Sequence, residues 1–177
     1  MSYSEEFEKT IATSDALNLK GSKEPTSSLF KFEEEFMSDT IRCIPMMVRF
    51  KLDACGIKLQ LKEWNLFNVK ERNQLMEYPA RNPNDVLNYR KQVEQLILAH
   101  TGGEATELTI ESNPGWIVNQ KIPETVEEKL KEFSWNLSHK EWQSLNDLQR
   151  FTLIKLSRPS HENKNFPKAI KEFGLVK

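Results

Sequence analysis

Apolar residues recur along this chain at helical spacing, and the pattern they make is written twice. From Ile44-Pro45 the sequence runs through Val48, Lys51, Leu52, Leu59, Lys62-Glu63-Trp64, Asn68, Arg72 and Leu75. From Ile122-Pro123 it runs through Val126, Lys129, Leu130, Leu137, Lys140-Glu141-Trp142, Asn146, Arg150 and Leu153. The shift is 78 residues throughout, without a gap, and 12 of the 32 positions aligned (44–75 against 122–153) are identical. Chance would give about two, so a duplication is the first organising feature. Upstream, Phe30-Lys31-Phe32-Glu33 stands opposite Leu108-Thr109-Ile110-Glu111. Downstream, with a drift of one or two residues, Tyr89, Val93 and Leu96 find Phe166, Ile170 and Phe173.

Each repeat predicts the same elements. A short extended segment opens it. A first helix begins at Pro45 or Pro123, since proline suits a first helical position, and Gly56 stops it in the first repeat. A second, short helix carries Trp64 or Trp142; Ser138-His139-Lys140-Glu141 fits a capping box there. A third helix follows Asn68 or Asn146, with Asn68-Val69-Lys70-Glu71 again cap-like, and ends before Pro79 or Pro159. The fourth spans residues 85–100 in the first repeat, where Val86, Val93, Leu96, Ile97 and His100 share a face and Gly102-Gly103 closes it. In the second repeat it shrinks to residues 168–173.

Such short helices each have one apolar stripe and bury it only by packing on others. The predicted fold is therefore mainly α: two tandem copies of a short-helix unit about a pseudo-twofold axis, with Trp64, Trp142, Leu59, Leu137, Leu75 and Leu153 as core anchors. The two extended segments could pair as a small two-stranded β ribbon. Residues 1–28, rich in Ser, Thr, Glu and Lys, are predicted to be a flexible tail in which Phe7 and Ile11 could form a turn of amphipathic helix. Residues 29–177 then form a single helical domain made of repeats at about 29–100 and 107–177.

Composition narrows the classes. The hydrophobic fraction is 38% and the mean hydropathy -0.62, polar but sufficient for one core. A net charge of -1 supplies no field toward nucleic acid. No apolar run approaches the roughly 20 residues of a membrane span. The opening residues carry Glu5, Glu6 and Glu8 and no apolar core of a secretory signal. Cys43 and Cys55 read as reduced thiols, so a cytoplasmic location is expected.

The search for chemistry finds no phosphate loop and no nucleophile elbow. His100, His139 and His161 stand at no metal-ligand spacing from one another or from a cysteine; neither metal nor cofactor is expected. Glu33-Glu34-Glu35 reads as a solvated face, and Asn113-Pro114-Gly115 as a surface turn between the repeats. The informative contrast lies in the first helices. Val48, Leu52 and Cys55 fall on one side, as do Val126, Leu130 and Phe133, so that side is core and Cys55 a small buried residue. The opposite side carries Glu124, Glu128, Lys131 and Glu132 in the second repeat but Met46, Phe50, Asp53 and Ala54 in the first, flanked by Arg42, Cys43 and Arg49. Either this face is covered by the tail or the long helix, or Arg42, Cys43, Met46, Arg49, Phe50 and Asp53 form a partner-binding surface. A helix N-terminus and Arg42 could also make Cys43 a reactive thiol.

The string Arg42-Cys43-Ile44-Pro45-Met46-Met47-Val48-Arg49-Phe50-Lys51-Leu52-Asp53, with Gly56-Ile57-Lys58-Leu59, Trp64 and the upstream Phe30-Lys31-Phe32-Glu33-Glu34-Glu35-Phe36, resembles the nitrate reductase-associated protein family over about residues 29–159. The resemblance implies an accessory protein linked to assimilatory nitrate reductase, a molybdenum and iron–sulfur enzyme, rather than a catalytic subunit. It brings no catalytic residues. The implied partner is the reductase or a component of its cofactor supply. The other class is a small cofactor carrier or thiol-dependent enzyme in which Cys43 works beside arginines that clamp an anion.

Overall fold

The computed structural model describes residues 29–34, 37, 40–118, 120–159 and 161–176. The expected tail, with Phe7 and Ile11, lies outside them. The described residues are mainly helical and contain no strand. In chain order the helices are α1 (Lys31–Glu34), α2 (Met46–Cys55), α3 (Leu61–Trp64), α4 (Val69–Glu77), α5 (Pro83–Thr101), α6 (Glu124–Lys131), α7 (His139–Ser144), α8 (Asp147–Ser157) and α9 (Phe166–Glu172), with a 3-10 turn at His161–Asn165 before α9. They divide into two compact units. The first holds Leu29, Met37 and residues 40–113; the second holds 30–34 and 114–176.

In the first unit α2 packs on α5 and α4, and α3 packs on α5. Pro45 sits at the N-cap of α2, one position earlier than predicted, with its carbonyl receiving the N–H groups of Val48 and Arg49 at 3.0 and 2.9 Å. Gly56 ends the helix at φ 70, a left-handed conformation that costs glycine little. An added Cβ there would meet the Leu108 carbonyl and the Ile110 side chain at 3.0 Å, so space as well as φ requires glycine. Asn68 caps α4 in a reciprocal box with Glu71. Asn82 caps α5, which begins with Pro83 at its first position. Val48, Cys55, Trp64, Leu75, Val86, Tyr89, Val93 and Ile97 fill the core.

In the second unit α8 packs on α6 and α9, and α9 on α1. Pro123 caps α6, Ser138 caps α7 and Asn146 caps α8, the last two in reciprocal boxes with Glu141 and Gln149. Trp142, Phe151, Leu153, Leu156, Phe166 and Ile170 are buried. Trp116 stands edge-on to Phe151 at 5.1 Å.

Several expectations are corrected. The ribbon does not form. Residues 31–34 are helical, and the N–H groups of Lys31 and Phe32 donate to the Glu172 carboxylate at 2.8 and 3.0 Å, which removes them from any ladder. Among the described residues the one β contact is an isolated bridge between Ile57 and Glu107. Glu33 belongs to no solvated face: it is buried, and the Phe30 N–H donates to it at 3.3 Å. Asn113-Pro114-Gly115 does lie in a turn with Asn113 exposed, but Pro114 itself is buried. Leu137 is half-buried. Phe133 is not buried as Cys55 is: α6 stops at Lys131, Ser134 turns at φ 57, and the Phe133 ring stays partly exposed, stacked on Trp135 at 4.9 Å.

Candidate functional site

The residues entering α2 form the candidate site. Ile41 takes a φ of 47, a conformation a β-branched side chain seldom adopts. Two side chains hold it. The Trp64 indole N–H donates to the Ile41 carbonyl at 2.8 Å. The buried Arg72 guanidinium donates to the carbonyls of Thr40 and Ile41 on one side and of Trp64 and Asn65, at 3.1 and 3.0 Å, on the other. It also stands 5.8 Å from the centre of a Trp64 ring. One cation thus ties the helix carrying the tryptophan to the segment leading into α2. Burial, then the nearby charge of Arg42, pulls the Arg72 pKa below its ordinary value.

Above this support the six candidate residues separate. Arg42 is exposed; Cys43, Arg49 and Asp53 are half-buried. The Arg49 Nε donates to the Ile44 carbonyl at 2.9 Å, folding its side chain back along α2. Met46 and Phe50 are buried. The face that carries them is covered, so in this structure they do not lie on an open surface beside the arginines. The solvent-facing part of the candidate site is the polar edge formed by Arg42, Cys43, Arg49 and Asp53.

The two cysteines differ. Both are free thiols. Cys55 is fully buried, and burial pushes its pKa up to about 12, which removes the thiolate a nucleophile or metal ligand needs. Among the described residues, no group of three or more His, Cys, Asp or Glu side chains is placed to hold a metal ion. His100 contacts the Glu71 carboxylate at 3.0 Å, and Glu71 in turn receives the Asn68 N–H. His139 is exposed at the start of α7.

Sequence reasoning missed the buried cations. Lys51 sends its Nζ to the carbonyls of Leu75, Met76 and Tyr78 at 3.3, 2.7 and 2.7 Å, capping the end of α4, and lies 5.5 Å from the centre of the Tyr89 ring. Burial, then the charge of Arg81, pulls its pKa down to about 8. Arg90 holds the Cys55 carbonyl at 3.0 Å and pairs with Glu94 and Glu107. Arg150 donates to the carbonyls of Trp116, Trp142 and Leu145 and to Asp147. The signal was present. Lys51 and Lys129, and Arg72 and Arg150, are identical at the 78-residue shift while the surface around them changes, which points to a structural role; the exposed pair Lys62 and Lys140 is identical too, so identity at the shift narrows the choice of structural cations without fixing it.

Among the described residues no helix is long and apolar enough to cross a membrane. No curated protein and no solved structure matches the chain. A family model does match, and it covers the entry segment, the buried Arg72, Arg90 and Arg150 and all nine of the helices described: over residues 29–173, the chain belongs to the conserved nitrate reductase-associated protein family.

Proposed function

We propose that this chain is a cytoplasmic, non-enzymatic accessory factor that supports assimilatory nitrate reductase by binding the enzyme or a component of its cofactor supply. The membership over residues 29–173 carries the reading. The contact we assign is the edge of Arg42, Cys43, Arg49 and Asp53, with the buried Met46 and Phe50 holding it in place. Its support is the backbone beneath: a strained Ile41 pinned by Trp64 and Arg72 presents Arg42 and Cys43 in a fixed position, and preorganisation of this kind lowers the entropic cost of binding. We assign the two units to a duplication in which the second kept the framework, with Trp142, Asn146 and Arg150 at the places of Trp64, Asn68 and Arg72, and changed the surface.

The alternative is a thiol function for Cys43, favoured by its being the accessible cysteine of the two. Cells that lack the chain and grow on nitrate separate the readings. They would be complemented with wild type, with an Arg42→Glu/Arg49→Glu double variant and with Cys43→Ser, and assayed for reductase activity and for co-purification of the reductase. Loss with the arginine variant but not with Cys43→Ser fits a binding edge. The reverse result moves the function to the thiol. Full activity with both removes this edge from the function.

A further inference from the structure

The first unit carries a second surface that its counterpart lacks. Leu61, Leu66 and Val69 are 50%, 51% and 41% exposed within nine residues of chain, at the start of α3, in the turn after it and at the start of α4. Isolated exposed leucines need no explanation, but three at one corner form a patch. At the 78-residue shift the second unit has His139, Ser144 and Asp147 there, an ordinary polar corner. The cations beside the patch face solvent, and two of the neighbouring carboxylates are engaged, Glu71 with His100 and Glu107 with Arg90. Lys58, Lys62 and Lys70 are exposed, and the carboxylate of the same stretch, Glu63, is buried and occupied in capping α3.

A complementary surface exists on the same chain. On α6, Glu124, Glu127 and Glu128 are exposed at spacings of three and four residues and share a helix face with a single exposed cation, Lys131, which leaves the face net acidic; the partly exposed Phe133 ring, stacked on Trp135, follows just beyond the helix end. One surface is basic and apolar, the other acidic and apolar, and each molecule carries one of each. We infer that the α3–α4 corner of one molecule docks on the α6 face of a second molecule of this chain, giving a salt-sensitive homo-oligomer. The inference does not depend on the reductase reading, because both surfaces belong to this chain. Opposed lysines and glutamates steer the encounter and set the register, and the leucines and Phe133 supply the area removed from water.

Charge exchange tests this directly on the full chain. One variant carries Lys58→Glu/Lys62→Glu/Lys70→Glu; the other carries Glu124→Lys/Glu127→Lys/Glu128→Lys. Sedimentation equilibrium at about 50 mM salt, where charges interact beyond about 10 Å, should show wild type associating, and about 0.5 M salt should weaken that association at least tenfold. Each variant alone should be monomeric. An equimolar mixture should form a mixed complex, because each reversed surface then meets its reversed partner. Lysines in the first turn of α6 oppose the helix dipole, so a Glu→Gln set and the single variant Leu66→Ser serve if the reversal lowers folding; each should still weaken association at least tenfold. Wild type that is monomeric at low salt and about 0.1 mM protein, where all but the weakest contacts form, overturns the inference. So does association that survives both reversals, and so does a monomer whose corner binds only some other acidic protein.

Discussion

Replacing Arg72 with methionine tests the central claim about the site, that a buried guanidinium holds the entry to α2. The substitution keeps much of the aliphatic stem and removes the donors to four carbonyls. Thr40 and Asn65 are exposed, so water can take over their carbonyls. Those of Ile41 and Trp64 lie in buried residues, and each keeps one other donor, the Trp64 indole for the first and the Phe67 N–H at 3.2 Å for the second. A hydrogen bond from a charged donor contributes about 1.5–3 kcal/mol, and relief from burying the cation offsets part of the loss. With two of the four bonds lost without replacement, though each of those carbonyls keeps its other donor, the net cost is roughly 3 kcal/mol. At about 2–4 °C per kcal/mol for a chain of this size, the melting temperature should fall by roughly 6–12 °C. Urea unfolding followed by tryptophan fluorescence measures it, with Arg42→Met as the exposed control, expected within about 0.5 kcal/mol of wild type. Arg72→Lys should recover less than half, because an ammonium cannot span the fork of carbonyls. An Arg72→Met protein within about 1 kcal/mol of wild type would refute the reasoning.

Other outcomes follow from the same structure. Phe50→Glu places a charge at a buried position and should cost about 3 kcal/mol or more, whereas Arg49→Glu at the half-buried edge should cost under about 1 kcal/mol; equal melting temperatures for the two would mean that Phe50 is not core. Because the folded-state pKa of Lys51 lies near 8 against an ordinary 10.5, the unfolded chain binds more protons between those values, so stability should rise with pH across that window by up to about 3 kcal/mol. Lys51→Met should lack that rise, and parallel stability curves for the two proteins would count against it. At neutral pH a thiol reagent should label Cys43 promptly and Cys55 only on unfolding; Cys43→Ser should abolish the prompt phase, and rapid labelling of Cys55 in the native protein would contradict its burial.

What the sequence made legible was local. Caps at Asn68, Ser138 and Asn146, the stop at Gly56 and the burial of both tryptophans rest on short-range rules, and the structure follows them. What it concealed was long-range. Helical periodicity says which side of α2 faces inward but not whether the other side is covered as well, and that is what decided Met46 and Phe50. Nor could periodicity show that a carboxylate 140 residues away would take the backbone of Phe32 and turn an extended segment into a helix. The cations were missed because lysine and arginine are surface residues by habit; only partner carbonyls, which no pattern of side chains displays, make them interior ones.

The Glu172 contact with α1 has a consequence for the order of assembly. Residues 40–113 of the first unit are contiguous and can gather as they leave the ribosome. The second unit joins residues 30–34 to a helix ending at Glu172, so its opening segment must wait until nearly the whole chain has been made. At about 5–20 residues per second that wait lasts roughly 7–28 seconds, during which Phe30 and Phe32 have no Phe173 or Glu172 to meet. Closing so long a loop is slow relative to the local contacts of the first unit, so the first unit should be the earlier to fold and the second the one that exposes apolar surface to chaperones.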